Sequence, residues 1–461
     1  MLNLKNLLNP AALLAAALTI LVFLPDLDSF ASSFSTTPQL VSLLSHSFDE
    51  NRFQGTYGKL VCLLLFCLCV ASFSKWQQNP RLKLFLLGSM VLVMYGWLLL
   101  AMAGVPLGTL LRTSSLVGLY LMIMAALVCC GFANNPRVSA GIVYGILGAG
   151  GLRLIYATYC YRRYGGVQIF EGTPAIAMDG GLLILWVVIA VWAAIQTLEY
   201  FVRSRLWGSF LMLLTAAVFS AALAASYRRT VMLLLIGTLA LATVFYSWFR
   251  NRLTTGLIWV GGMSIVMLAG LFLVMVMVFG FTSASERVFS LGTVGDGSSF
   301  SNSNAVYLED QAALKEIVLS SSFLGVGPGM PYGIRRISDD FTNEGIVPLH
   351  TGTTELWASE GLVGIIYHLA ILLALPAVCL RAYHRNPAGG ERTLVAVAAS
   401  YVISLNLWPF APPYYENVQG SVLLGLCLGY LIHAANGAGF RAQNVREVAS
   451  PERAHAPRLR A

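Results

Sequence analysis

The sequence predicts an all-α polytopic membrane protein of about 12 transmembrane helices, with one large outer loop between spans 9 and 10. Three observations carry that reading. Of 461 residues, 57% are hydrophobic and only 11% are charged, whereas a soluble domain needs roughly 25% charged residues to cover its surface. The apolar residues fall in runs that reach, or nearly reach, the length needed to cross about 30 Å of hydrocarbon. Lys and Arg recur on alternate connections between those runs, as the positive-inside rule requires. A soluble protein is excluded. The formal net charge of +8 reflects loop placement and does not point to nucleic acid.

In chain order, the runs that read as spans are 8–24, 58–74, 83–104, 108–131, 138–158, 180–198, 207–225, 230–248, 254–281, 353–380, 393–408 and 417–435. The first ends in "FLPDLDSF" with no small-residue cleavage site, which predicts a retained span in place of a signal peptide. With Lys5 cytoplasmic, one set of connections holds Lys75, Arg81, Lys83, Arg137, Arg203, Arg205, Arg250, Arg252, Arg381, Arg385 and Arg392. Short connections on the other side, such as "GVPLG" and "WPFAPPYYEN", hold neither Lys nor Arg. Both termini are therefore expected in the cytoplasm.

Four regions follow. Residues 1–281 form spans 1–9, 282–352 an outer loop with short helices, 353–436 spans 10–12, and 437–461 a basic disordered tail. Within the loop, Leu308, Ala312, Lys315 and Leu319 share one helical face. Seven of the eight cysteines lie in apolar runs and none makes a CxxC pair, so they read as small hydrophobes.

Several residues break the apolar pattern. Arg228 and Arg229 sit between two apolar runs, on the side where cations should be scarce. An Arg near the hydrocarbon edge either snorkels to headgroups or serves an anion, and its planar fork of donors suits phosphate. Other outer cations are Arg153, toward the end of the fifth span, Arg162 and Arg163 just beyond it, Arg287, and Arg335 with Arg336. The segment "LHTGTTELWASEGLVGII" places His350 at the mouth of the tenth span, followed by Thr351, Glu355 and the deeper Glu360. On a continuous helix Glu360 would lie about 15 Å below His350, and an acid at that depth calls for a polar cavity or a basic partner.

With the stretch "SSFLGVGPGM", these residues resemble the O-antigen ligase and O-antigen polymerase superfamily of integral-membrane glycosyltransferases. The shared features are many spans, a late outer loop, a glycine-rich stretch holding Gly327 and Gly329, a His before the next span, and a glutamate–glycine run after it, here "EGLVG" at 360–364. Thr351 stands where the family often has Asn. No arginine occupies the expected helix before the glycine-rich stretch, leaving Arg287 the nearest one ahead of it.

The resemblance implies transfer of a glycan from undecaprenyl diphosphate to a sugar hydroxyl on an acceptor, either lipid A-core or another glycan. The reaction would proceed at the periplasmic side of the bacterial inner membrane, without cofactor or metal. Arg228 or Arg229 would bind the diphosphate, with Arg287, Arg153, Arg335 and Arg336 as further phosphate ligands. His350 would be the base or acceptor-orienting group, and Thr351, Glu355, Glu360, Gly327 and Gly329 would shape the acceptor side. A flippase of lipid-linked oligosaccharides is the main alternative, and a scaffold with no chemistry is the third reading.

Overall fold

The computed structural model describes residues 9–23, 56–73, 79–104, 114–133, 135–164, 167–168, 174–175, 180–226, 229–249, 323–327, 352–385, 389–407 and 418–436, with isolated positions between 262 and 319. Eleven helices account for nearly all of these residues. They are α1 (Pro10–Phe23), α2 (Thr56–Ala71), α3 (Pro80–Met102), α4 (Ser114–Phe132), α5 (Pro136–Tyr164) and α6 (Gly180–Val202). Then come α7 (Leu206–Ala225), α8 (Arg229–Phe249), α9 (Gly352–Arg385), α10 (Gly389–Leu407) and α11 (Val418–Asn436). Seven contain stretches long and apolar enough to cross a membrane, and α1, α2, α4 and α10 are shorter apolar helices. The protein is a helical membrane protein.

Each expected span except 254–281 corresponds to one of these helices. That span falls largely outside the described residues. Gly262, Gly270, Phe272, Leu273, Val276 and Met277 within it are helical, as are Ala312 and Leu319 in the expected loop helix. One detail corrects the sequence reading. The fifth helix runs on to Tyr164 and carries Arg162 and Arg163 in its last turn, where cations complement the partial negative charge of the carbonyl end. Between α5 and α6, Val167–Gln168 (β1) pairs antiparallel with Pro174–Ala175 (β2), a two-residue pair within an otherwise helical architecture.

Three helices begin with the same device. Asn9, Asn79 and Asn135 each precede a proline, and each Asn Oδ1 accepts from the backbone N–H two residues on, at 3.0–3.1 Å. Asn79 also accepts from Leu82 at 3.1 Å. The side chain satisfies donors that the first turn leaves orphaned, and proline at the first position has no N–H to satisfy.

The core is organised on α6. Every residue from Leu183 to Ile195 on this helix is buried, and α5, α7, α8, α10 and α11 pack around it. A helix that is apolar all round belongs inside a bundle. By contrast, α3 exposes Leu84, Leu87, Met90, Met94 and Leu98 along one side, a face suited to lipid.

Small residues let two non-consecutive pairs approach closely. Gly141, Gly145 and Gly148 of α5 lie against Ala12, Thr19 and Ile20 of α1, in ascending order on both helices, so the two run parallel. Gly425 and Gly429 of α11 meet Met122 and Ala126 of α4 in the same sense, and Cys130 Sγ contacts the Gly429 carbonyl at 3.0 Å. These are small-x-x-x-small interfaces of the kind that drive helix association in lipid.

Other contacts order the ends. Arg81, at the start of α3, donates to the Ala435 carbonyl at 2.6 Å and to Asn436 Oδ1 at 2.8 Å, at the end of α11. Tyr246 of α8 donates to the Glu199 carboxylate of α6, so the C-terminal ends of those two helices are level. The Ser89–Tyr367 contact brings the middle of α3 against the middle of α9.

Candidate functional site

The most irregular backbone in the described chain is the break in α9. Gly361 adopts φ 56, ψ −141, outside helical space, in a region that an L side chain scarcely tolerates. The strip Phe323–Gly327 docks against this break. The Gly327 N–H donates to the Ser359 carbonyl at 2.9 Å, and the Leu362 N–H donates to the Phe323 carbonyl at 2.7 Å. The strip thereby satisfies backbone groups that the break orphans, a requirement wherever water is scarce. Phe323, Gly325 and Gly327 all have positive φ (64, 87 and 98).

Contact between strip and break is backbone to backbone. A Cβ on Gly325 would lie 2.5 Å from the Ser359 carbonyl oxygen and 2.6 Å from the Gly361 nitrogen. From the side, Tyr95 of α3 donates its hydroxyl to the Leu324 carbonyl at 2.6 Å.

Glu360 lies at the centre of this seam. It is 1% exposed, and its Oε2 has no hydrogen-bond partner among the described residues. Three tyrosines, Tyr95 of α3, Tyr120 of α4 and Tyr367 of α9, lie near enough to interact electrostatically with it. Trp97 Nε1–H donates to the Tyr120 hydroxyl oxygen at 2.7 Å, and the Tyr367 and Ser89 hydroxyls pair at 2.8 Å. Deeper along α9, buried His368 hydrogen-bonds with the Asn406 side chain of α10.

The expected site residues divide into groups. Glu360 and Gly327 are brought together, since the Gly327 N–H binds the carbonyl of the residue before Glu360. Arg229 opens α8, and Glu355 falls in the first turn of α9. Arg153 is 2% exposed in α5 and donates through Nη1 to the Phe23 carbonyl at 3.2 Å, at the end of α1. That contact places a cation on the carbonyl end of a helix, a stabilising position. His350, Thr351, Arg228, Arg287, Arg335, Arg336 and Gly329 lie outside the described residues.

The aromatic surround of Glu360 carries no signal in the sequence, because Tyr95, Trp97 and Tyr120 look like ordinary members of apolar helices. A second polar cluster was also missed. At the other end of the bundle, buried Glu199 takes Arg203 Nη2 at 2.5 Å and the Tyr246 hydroxyl. The i, i+4 acid–base spacing of Glu199 and Arg203 was its only visible sign. Among the described residues, no three His, Cys, Asp or Glu side chains gather into a metal-binding group. Compared with models of known protein families and with characterised protein sequences, the chain matches none.

Proposed function

We propose that the protein is an integral-membrane glycosyltransferase of surface polysaccharide assembly, acting at the periplasmic face of the bacterial inner membrane. Its donor is a glycan on undecaprenyl diphosphate, and its acceptor is a sugar hydroxyl of lipid A-core or of another glycan. The observation that carries this reading is the docking of the glycine-rich strip onto the Glu360–Gly361 break. Two of the short motifs behind the family resemblance, separate in sequence, meet there as one unit.

In the reaction, the acceptor oxygen bonds to the anomeric carbon as the bond from that carbon to the diphosphate oxygen breaks. The lipid diphosphate leaves with the bonding pair, and the acceptor proton passes to a base, assigned here to His350. Arg229 or Arg228, assisted by Arg287, offsets the charge growing on the departing diphosphate. Fixed guanidinium forks perform this without titrating. Imidazole is the side chain whose unperturbed pKa suits proton transfer near neutrality.

The broken helix with a buried acid also favours a second reading. Discontinuous helices form the binding sites of many transporters, so a flippase of lipid-linked oligosaccharides is the competing function. The test is transfer by purified, reconstituted protein from lipid-linked glycans extracted from cells that lack it. The proposal expects new glycosidic product and its loss in His350→Ala and Arg229→Ala. Full transfer by both variants removes the catalytic assignment. Movement of the lipid between leaflets without transfer selects the flippase.

A further inference from the structure

We infer that the break in α9 is the acceptor side of the transfer site, and that Glu360 Oε2 is the atom that binds a hydroxyl of the acceptor saccharide. This rests on the glycan-transfer reading above. A carboxyl oxygen sealed from water, with no donor among the described residues, is costly unless something supplies a hydrogen bond. The chemistry of that oxygen selects its ligand. A diphosphate calls for cations, and no Lys or Arg among the described residues pairs with Glu360, so the diphosphate of the donor does not belong here. Sugar hydroxyls are neutral donors and do.

The surroundings suit a polyol. Tyr95, Trp97 and Tyr120 are half-buried beside the break, and the electron-rich faces of aromatic rings favour the polarised C–H bonds of a sugar ring. On the other side the wall is backbone, because Gly325, Gly327 and Gly361 present no side chains. Access runs through the seam. Two backbone hydrogen bonds and the Tyr95–Leu324 bond hold the strip in place, and lifting it uncovers Glu360. Charge is thereby divided between two faces of one site: arginines for the diphosphate, and one acid for the hydroxyl that attacks.

The experiment measures transfer by the full chain in proteoliposomes. The probes are lipid-linked glycans extracted from cells lacking the protein, as donor. Lipid A-core, or the same glycan freed from diphosphate by mild acid, serves as acceptor. Glu360→Ala is expected to raise KM for the acceptor at least tenfold while leaving KM for the donor within twofold, with Glu360→Gln intermediate. Gly325→Ala, whose Cβ would meet the Ser359, Glu360 and Gly361 backbone while leaving the Glu360 side chain unaltered, displaces the backbone wall of the subsite, is expected to raise the same acceptor KM and serves if the Glu360 variants do not fold. An unchanged acceptor KM, or a change confined to the donor, overturns the subsite and leaves the transferase reading standing. Absence of transfer by the wild-type protein from every donor overturns both.

Discussion

Replacing Gly361 by alanine tests the seam most directly. At φ 56, ψ −141 a Cβ is strained, at a cost of about 1–3 kcal/mol. The same Cβ would collide with the Phe323 carbonyl and the Leu324 carbon. Relief of that collision requires the strip to move, which breaks the Gly327–Ser359 and Leu362–Phe323 hydrogen bonds; that loss is shared by the opened parent and cancels. The collision adds about 1–3 kcal/mol to the strain, so the sum is about 2–6 kcal/mol against the closed seam. At about 1.4 kcal/mol per decade, opening becomes about thirtyfold or more favourable. The reporter is a thiol at Ser359, which is 3% exposed in the closed seam. Ser359→Cys is expected to react slowly with a membrane-impermeant maleimide. Adding Gly361→Ala is expected to accelerate that reaction about thirtyfold or more, with the thermal transition of the bundle lowered much less. Labelling within twofold of the parent would show that the glycine is not holding the seam, and the reasoning from backbone strain would fail.

Other outcomes follow from the packing. Arg153→Met removes the donor to the Phe23 carbonyl and is expected to cost about 1–3 kcal/mol. It would be read as a lower melting temperature of the ligand-free protein in detergent; an unchanged melting temperature would return Arg153 to the substrate. Gly145→Leu forces a side chain against Thr19 and the Ala16 carbonyl and is expected to destabilise the α1–α5 pair by about 1–3 kcal/mol. Loss of disulfide trapping between paired cysteines on α1 and α5 would record that. Tyr246→Phe deprives buried Glu199 of a donor and is expected to cost about 1–3 kcal/mol. A melting temperature equal to the parent's would show that Arg203 alone suffices.

Much of the fold was legible in the sequence because lipid imposes a length on apolar runs. The run 207–225 became Leu206–Ala225 and 417–435 became Val418–Asn436. A charge does not by itself end a helix: α5 continues through Arg162 and Arg163 because their side chains reach outward from an intact helix. The Asn–Pro starts at Asn9, Asn79 and Asn135 were readable and went unread. Which helix sits at the centre was not legible. Leu183–Ile195 is as apolar as the lipid-facing stretch of α3, and in a membrane apolarity does not separate protein contact from lipid contact. For the site, the glycine-rich stretch and the "EGLVG" run at 360–364 were both visible. Their pairing depends on Phe323 and Leu362 meeting in space, and Tyr95 joins them from a helix far away in sequence. The roles assigned to Arg228, Arg287 and His350 rest on sequence pattern alone.

The parallel pairing of α4 with α11 has a consequence for how the chain is made. The Cys130–Gly429 contact joins residues 299 positions apart. At about 5–20 residues per second of synthesis, α4 waits roughly 15–60 s for its partner. During that interval the groove of α4 around Met122 and Ala126 is open to any other small-residue helix nearby, including those of unrelated membrane proteins. Closure of this pair thus waits until α11 has been made. α11 acts as the bolt of the assembly, and a chain stopped short of Gly425 leaves α4 without its mate.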